Sequence, residues 1–386
     1  MRGRFRAAAL VVFALALCVG LDAGQPPASS PQPPASSSAP PASDQTPTFR
    51  SGVNFIRVDV IATDKNGEIV PNLKPEDFEV TEQNKVQKIE TFKLVSLDGG
   101  LMASTKIPFQ AIRSDEDEER EAAKDDVRLF AIFLDDYHTK QSSSLGARRQ
   151  IAQFVDTQLG PSDMIGVMYP LDQISQVLMT RNHDAIQHSI EQFMGRKFDY
   201  RPMNAAEERY AHYPTETVEG IRNDVSLSAL KSLIVHMGGL KEGRKALILV
   251  SEGYTGILPP QLRDADASNP GSGNPNRNNP LAGADGTDIT ENRAQNEADV
   301  DMMMRMRDIY EEANHYNVSI YAVDPRMLAT NEFGIEMPQI DERVDRQYLN
   351  STMDTLRTLS EETEGRAIVN TNQLALGMKQ IVKDTS

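Results

Sequence analysis

The sequence contains a single cysteine, Cys18, among its 386 residues. One cysteine excludes an intramolecular disulfide and a thiolate metal cluster. The six histidines are dispersed and lack an HExxH type of spacing, which argues against a His-rich zinc site. Basic residues are also few, since 40 Lys and Arg stand against 56 Asp and Glu, a net charge of −16. Because phosphates would be repelled rather than neutralised, this balance argues against nucleic acid as a partner.

The start of the chain has the composition of a secretory signal peptide, which we place at residues 1–24. Three arginines precede the apolar run Ala7–Val19, and this run is too short to span a bilayer comfortably. We therefore expect an exported protein, periplasmic or extracellular, with no membrane contact unless this segment stays uncleaved as an anchor. A lipoprotein modified at Cys18 is the remaining alternative.

The next two segments differ in composition. Residues 25–48 are rich in Pro, Ser and Ala, cannot bury apolar area, and predict an extended linker. Residues 49–97 alternate apolar and polar side chains, as in Ile56–Ala62, which predicts half-buried strands. Two further strands are predicted at Phe78–Thr81 and Val86–Phe92. The segment is short for an immunoglobulin-like sandwich, so we expect a small β-rich, Ig-like module.

The length suggests two domains at about 150 residues each, or one domain with long extras. Apolar residues make up 39% of the chain, which is enough for a core. Residues 98–126 separate the β module from the rest and include the charge run Ser114–Asp126. Such a run is typical of a solvated linker or an exposed helix, and an acidic calcium-binding patch is the alternative.

Residues 127–386 alternate predicted strands with predicted helices. Apolar runs predict strands at Val127–Leu134, Met164–Tyr169, Ile174–Met179, Lys245–Val250, Val318–Val323 and Arg366–Val369. Helices are predicted at Ser144–Gln158, Asn182–Met194, Asp224–Met237, Asp299–Tyr316, Leu349–Glu362 and Asn372–Val382. Strands that are apolar throughout are expected when helices cover both faces of a parallel sheet. We therefore predict a doubly wound, mostly parallel α/β sheet of the Rossmann type, with Ile174–Met179 as an antiparallel edge strand.

Two glycine-rich features qualify this pattern. Gly238 and Gly239 follow the third predicted helix and are the favoured residues for ending it. Residues 259–293 are rich in Asn, Pro, Gly and Asp, so we predict a disordered insertion there. Because the insertion follows the strand that ends at Val250, we expect it to project from the carboxyl edge of the sheet, where ligands bind in such folds.

Polar side chains follow the first strand of this domain at its carboxyl end. Asp135 comes first and Thr139 four residues later, and oxygens so placed can hold a hard cation. The pattern resembles the von Willebrand factor type A domain, whose D-x-S-x-S signature holds Mg²⁺ in a metal-ion-dependent adhesion site. The resemblance places Asp135, Tyr137 and Thr139 at the signature positions and Glu252 at a later acidic position. It also implies that a carboxylate of a partner protein completes the coordination of the metal.

Longer motifs resemble the acidobacterial-type VWFA-related proteins, an exported bacterial family of largely unknown role. They are Asp77–Val80, Gly243–Gly253, Val318–Pro325 and Leu356–Gly365, in that order along the chain. The resemblance covers the chain from about Phe49 to its end. It implies an exported protein in which a small β module precedes a von Willebrand A-like domain.

Tyr137 departs from the signature. A phenol oxygen lies farther from its backbone than a serine hydroxyl, and Mg²⁺ requires near-octahedral geometry at about 2.1 Å. We therefore expect no cofactor and a degenerate metal site, with bound Mg²⁺ or Ca²⁺ as the alternative. The degenerate site consists of Asp135, Tyr137, Thr139 and Glu252. The neighbouring Asp136 and His138 are the predicted partner-binding residues.

The function we predict is contact with a protein or a cell surface, without enzymatic activity. A Mg²⁺-dependent adhesion domain with unusual ligands is one alternative. A haloacid-dehalogenase-like phosphatase is another: Asp135 would be its nucleophile, but Tyr137 replaces the aspartate that would protonate the leaving group. The basic, aromatic segment Arg196–Arg201 predicts either a protein-contact patch or an ordinary loop.

Overall fold

The computed structural model of the chain describes residues 60, 62, 70, 72–92, 112–124, 126–273, 289–333 and 340–385. The predicted signal peptide and the linker at 25–48 lie outside these residues, as does most of the predicted strand Ile56–Ala62. The described residues contain a two-stranded hairpin and, separately, an α/β domain. Among them, every helix is too short or too polar to cross a membrane.

The hairpin consists of β1 (Val80–Glu82) and β2 (Lys85–Gln87), which pair antiparallel. Gln83 and Asn84 join the strands with φ of 49° and 63°, as a tight turn between twisted strands requires. All residues of both strands are exposed. The two predicted strands in this region are therefore present in shortened form, and the described residues of this segment form no second sheet of an Ig-like module.

The α/β domain is built on a four-stranded parallel sheet. Its strands are β3 (Leu129–Leu134), β4 (Met164–Met168), β5 (Lys245–Val250) and β6 (Val318–Val323). Their order in the sheet is β4-β3-β5-β6, and every neighbouring pair is parallel. Leu134 lies opposite Val250, and Val250 opposite Val323, so three strands end at the same edge. This carboxyl edge carries the candidate site.

Helices cover both faces of the sheet, as the apolar strands predict. The helices that the structure describes are α1 (Asp115–Ala122), α2 (Gln141–Gln158), α3 (His183–Glu191), α4 (Ala205–Glu208), α5 (Thr215–Leu240), α6 (Ile289–His315), α7 (Glu342–Glu361) and α8 (Leu374–Asp384). Leu129, Ala131 and Phe133 belong to a core shared with α5, α6 and α7, while the alternate residues of β3 belong to a core shared with α2, α3 and α8. The domain is therefore an α/β fold of the Rossmann-like kind, and that prediction is confirmed.

The predicted antiparallel edge strand Ile174–Met179 is wrong. Residues 174–176 form a 3₁₀ turn, and a single bridge between Ile165 and Thr180 is the only antiparallel pairing there. The Met179 N–H donates to Glu118 Oε1 at 2.6 Å, so a side chain of α1 takes the hydrogen bond that a strand partner would have made. The predicted last strand is similarly reduced to one parallel bridge, between Val323 and Ile368.

The charge run Ser114–Asp126 packs against the domain and is not simply solvated. It forms α1, in which Glu118 and Glu121 are buried. Glu121 pairs with Arg181 at 2.9 Å, while Glu118 bonds the Met179 backbone. Only tertiary contacts could reveal these roles, because the composition of the run resembles that of a solvated linker.

Gly238 and Gly239 do not end their helix, which continues to Leu240. A Cβ at Gly238 would lie 2.2 Å from Tyr316 Cδ1, so this glycine permits a close approach of the segment after α6. The predicted insertion also differs at both ends. Ala267 is 2% exposed, its N–H donates to Tyr213 O at 2.9 Å, and α6 already begins at Ile289. Residues 274–288 of the insertion lie outside the described residues.

Candidate functional site

At the carboxyl edge, backbone hydrogen bonds join the loop after β3, the loop after β5 and the end of β6. The Asp135 N–H donates to Val250 O at 3.0 Å and continues the ladder between β3 and β5. The Ser251 N–H donates to Val323 O at 3.2 Å, and the Glu252 N–H donates to His138 O at 3.0 Å. The structure therefore brings together the loop after β3 and the loop after β5, as the topology predicts.

Asp135 is fully buried and surrounded by hydrogen-bond donors. Both of its carboxylate oxygens lie 2.9 Å from His138 Nδ1, and the Ser251 hydroxyl donates to Oδ2 at 2.9 Å. Burial raises the pKa of Asp135, but attraction to His138 and hydrogen bonds from His138, Tyr254 and Ser251 outweigh it and leave the pKa below its ordinary value. The carboxylate is thus held by protein groups.

His138 and Thr139 are buried residues of the loop after β3. The His138 side chain is buried, and its ring lies 4.7 Å from the Tyr254 ring between centroids. Thr139 is also buried. Among the described residues, His138 Nε2 and Thr139 Oγ1 have no hydrogen-bond partner. His138, predicted to contact a partner, is in this structure an internal partner of Asp135.

Tyr137 turns its hydroxyl to a different part of the edge. The hydroxyl donates to Glu207 Oε1 at 2.7 Å, and the guanidinium carbons of Arg196 and Arg222 each lie 4.9 Å from the ring centroid. Burial, with the hydrogen bonds to Tyr210 and Glu207, raises the pKa of the Tyr137 phenol. The phenol therefore stays neutral and joins the tip of β3 to α4.

Arg196 donates hydrogen bonds to two carboxylates, Glu207 and Asp136, whose pKa values shift in opposite directions. Its guanidinium donates to both oxygens of Glu207, at 3.1 and 2.6 Å, but makes a single bond to the Asp136 carboxylate, at 3.1 Å. Burial raises the pKa of Glu207, yet bonds from Arg196, the Met203 N–H and Tyr137 lower it to about 2. Burial raises the pKa of Asp136 to about 6 despite Arg196. The buried Asp136 Oδ1 lacks a hydrogen-bond partner among the described residues.

Glu252 is paired with a buried ammonium. Its Oε2 lies 3.1 Å from Lys197 Nζ, and its Oε1 accepts the Lys140 N–H at 3.0 Å. Both side chains of the ion pair are almost completely buried. Burial lowers the pKa of Lys197, but the charges of Glu332 and Glu252 more than reverse this, so the ammonium remains charged.

A second carboxylate, Glu332, faces the same ammonium. Lys197 Nζ lies 2.6 Å from Glu332 Oε1, and Arg326 Nη1 lies 2.7 Å from Oε2. Arg326 also pairs with Asp324, the residue directly after β6, at 2.7 Å. Burial raises the pKa of Glu332, but Lys197, Arg326 and Lys140 hold it well below its ordinary value.

The predicted site residues therefore do not all point to the same place in the structure. Asp135, Thr139 and Glu252 lie at the carboxyl edge, whereas the Tyr137 hydroxyl and the Asp136 carboxylate are directed to Glu207 and Arg196. Among the described residues, no group of three His, Asp or Glu side chains is arranged to hold a metal ion. Each carboxylate of the predicted metal site already has a hydrogen-bond donor.

Sequence reasoning missed the cations that neutralise this edge. Arg196 and Lys197 belong to the segment Arg196–Arg201, for which an exposed contact patch was one prediction, yet both are at least nine-tenths buried. A basic pair in an acidic chain was the available signal, because buried charges require partners. For Glu332, which precedes Phe333 in a loop, the local sequence offered no signal.

No family model and no curated protein matches this sequence. Among solved structures, the human COPII-coat protein Sec24c is similar over 66% of this chain, with 11% sequence identity and a TM-score of 0.27. The match covers 32% of the Sec24c chain, so this chain spans about a third of it. A likeness at that TM-score carries no functional weight.

Proposed function

We propose that this protein is an exported, non-enzymatic interaction protein, in which a von Willebrand A-like domain binds a protein partner at the carboxyl edge of its sheet without a metal ion. The pairing of Glu252 with Lys197 is the observation that carries this proposal. Glu252 stands where the resemblance expects a metal-binding carboxylate, and a buried ammonium lies 3.1 Å from it. The basic and apolar start of the sequence supports export.

A divalent cation would have to displace several internal bonds to bind here. Mg²⁺ requires oxygen ligands at about 2.1 Å in an octahedron. The Glu252 oxygens already accept bonds from the Lys197 ammonium and the Lys140 N–H. The Asp135 oxygens are likewise engaged by His138 and Ser251. The edge is neutralised from within, so binding through it does not require a metal.

Exposed apolar side chains on the edge segments are the proposed contact residues. Met203 is 73% exposed and follows the segment that contributes Arg196 and Lys197. Leu328 is 57% exposed and lies between Arg326 and Glu332. Exposed apolar groups next to a polar rim are typical of protein interfaces.

Affinity capture in two buffers tests the proposal. The immobilised full chain is incubated with envelope and secreted fractions of the source cell, in EDTA or in Mg²⁺. We expect the same retained protein in both buffers, lost with Met203→Glu and Leu328→Glu. Met303→Glu is the matched control, because Met303 is 58% exposed but lies on α6. We expect this variant to retain the partner.

Two results would contradict the proposal. Retention only in Mg²⁺, together with thermal stabilisation by Mg²⁺ that Asp135→Asn abolishes, would establish a metal-dependent adhesion domain. Mg²⁺-dependent hydrolysis of a phosphate ester that Asp135→Asn abolishes would establish a phosphatase. Export is tested independently by mass spectrometry of the secreted protein, whose N-terminus is expected close to Gly24.

A further inference from the structure

Three cationic side chains converge on one carboxylate at the carboxyl edge. Glu332 Oε1 lies 2.6 Å from Lys197 Nζ and 3.1 Å from Lys140 Nζ, and Oε2 lies 2.7 Å from Arg326 Nη1. The side chains of Glu332, Lys197 and Arg326 are almost completely buried, and Lys140 is 25% exposed. Charge-assisted bonds of this kind are among the strongest in proteins when they are shielded from water.

The balance of charge depends on Glu332. Lys197 is shared with Glu252, and Arg326 is shared with Asp324. With Glu332 present, three cations face three carboxylates; without it, three cations face two. Removing Glu332 would leave one positive charge without a counter-charge in a largely buried cluster, which is destabilising, so the vacated position would attract another anion. Its shape and donors fit a carboxylate, since Arg326 and Lys197 approach opposite oxygens.

Glu332 reaches this position from a loop, not from a strand or helix. Its backbone N–H donates to Asp345 Oδ1 at 2.7 Å. The next residue, Phe333, packs its ring 5.7 Å from that of Phe198 and 5.2 Å from that of Tyr348. The preceding Asn331 is exposed. The buried Glu332 and Phe333 therefore anchor a loop whose preceding residues, Leu328, Thr330 and Asn331, are exposed.

We propose that Lys140, Lys197 and Arg326 form a carboxylate-binding site whose resident ligand is the chain's own Glu332. An acidic side chain of a partner binds the same cations only by displacing this segment. A tethered ligand competes at a high effective concentration, so the site is closed in the isolated protein. The partner's role rests on the proposed function, whereas the carboxylate site does not.

Carboxylate rescue tests the site. Glu332→Ala removes the resident carboxylate and leaves room, and we expect a lower melting temperature in sodium chloride. Sodium acetate at the same ionic strength should raise it again, with a saturating dependence in the millimolar range. Wild type and Glu332→Gln, in which the position is filled, should show no such response. Glu342→Ala is a further control, because Glu342 pairs with Arg346 at the surface and is 80% exposed.

Each outcome of the rescue experiment either supports or overturns the carboxylate site. An equal response of Glu332→Ala to acetate and to chloride would overturn the site. If Glu332→Ala does not fold in chloride, circular dichroism during an acetate titration is the same test, and failure to fold in acetate overturns the proposal as well. Lys197→Met combined with Glu332→Ala should abolish the rescue, because one of the three cations is gone.

Partner capture with Glu332→Ala separates the two proposals. If the partner presents an acidic side chain to this site, Glu332→Ala should retain at least tenfold more of it than wild type, and millimolar acetate should compete. Unchanged retention by an acetate-responsive variant would overturn the partner's use of the site while leaving the proposed function intact. Rescue by acetate without any captured partner would instead count against the proposed function.

Discussion

The Tyr137 hydroxyl donates a hydrogen bond to Glu207 Oε1 at 2.7 Å, across seventy residues of sequence. The resemblance to the von Willebrand A domain predicts a short serine at the position of Tyr137. The guanidinium groups of Arg196 and Arg222 both lie 4.9 Å from its ring centroid, where cation–π attraction adds to packing. The side chain therefore links the tip of β3 to α4 and to two buried cations.

Two substitutions at Tyr137 separate its hydrogen bond from its ring. Tyr137→Phe keeps the ring but removes a bond to a charged carboxylate, so the free energy of unfolding should fall by about 1.5–3 kcal/mol. Tyr137→Ser also removes the ring and should cost about 3–5 kcal/mol, because a cavity remains next to two cations. Urea denaturation measures both. Equal losses would show that the ring contributes nothing, and stabilisation of Tyr137→Ser by Mg²⁺ would show that this side chain alone closes a metal site.

Glu207 should contribute to acid denaturation. Its pKa falls from an ordinary 4.5 to about 2 in the folded protein, so the folded state favours the ionised form. The resulting stabilisation is present above about pH 4.5 and is lost as the pH falls toward 2. Glu207→Gln should therefore be less stable than wild type at pH 7, and the difference should shrink through that interval. A difference that is constant from pH 7 to pH 2 would contradict this assignment.

Asp136 should behave in the opposite sense. Burial raises its pKa from 3.8 to about 6, so the folded state favours the protonated form. This contribution is present below pH 3.8 and is lost as the pH rises through 6. Asp136→Asn should thus gain stability relative to wild type between pH 4 and pH 7, when thermal unfolding is followed at both. If Asp136→Asn lost stability over the same interval, the single bond to Arg196 would outweigh burial.

In the first part of the predicted insertion, substitutions at buried and at exposed positions should differ in their cost to stability. Ala267 is 2% exposed and its backbone bonds Tyr213, so Ala267→Asp buries an unpaired charge and should cost at least about 1–3 kcal/mol. Asn269→Asp, at an exposed position two residues away, should stay within about 0.5 kcal/mol. Denaturant midpoints of the two variants make the comparison. Similar midpoints would mean that this stretch behaves as the loop that its composition suggests.

Local patterns were sufficient for most regular elements. The observed strands β3, β5 and β6 lie within or match the apolar runs that predict them, because a strand buried on both faces must be apolar throughout. Asn182, the first residue of the predicted helix Asn182–Met194, caps α3, since its Oδ1 accepts the Ala185 N–H at 3.2 Å. Both signals lie within a few residues of what they determine.

Local predictions failed where a side chain from a distant part of the sequence contacts the segment. Ile174–Met179 is apolar enough for a strand, yet Glu118 of α1 bonds the Met179 N–H. Gly238 is a favoured helix terminus, yet it lies where the Tyr316 ring approaches the helix. In both cases the neighbour comes from a separate segment, and nothing in the local composition identifies it.

By itself the sequence determined the α/β alternation, the buried strands and the placement of Asp135 and Glu252 after two of them, because periodicity and chain direction act over short distances. Only the tertiary structure decided which groups neutralise those carboxylates. Lys197 reaches Glu252 across 55 residues and Glu332 across 135, from loops that have no periodicity of their own. A buried charge requires a partner, but the path of the folded chain decides which one it meets.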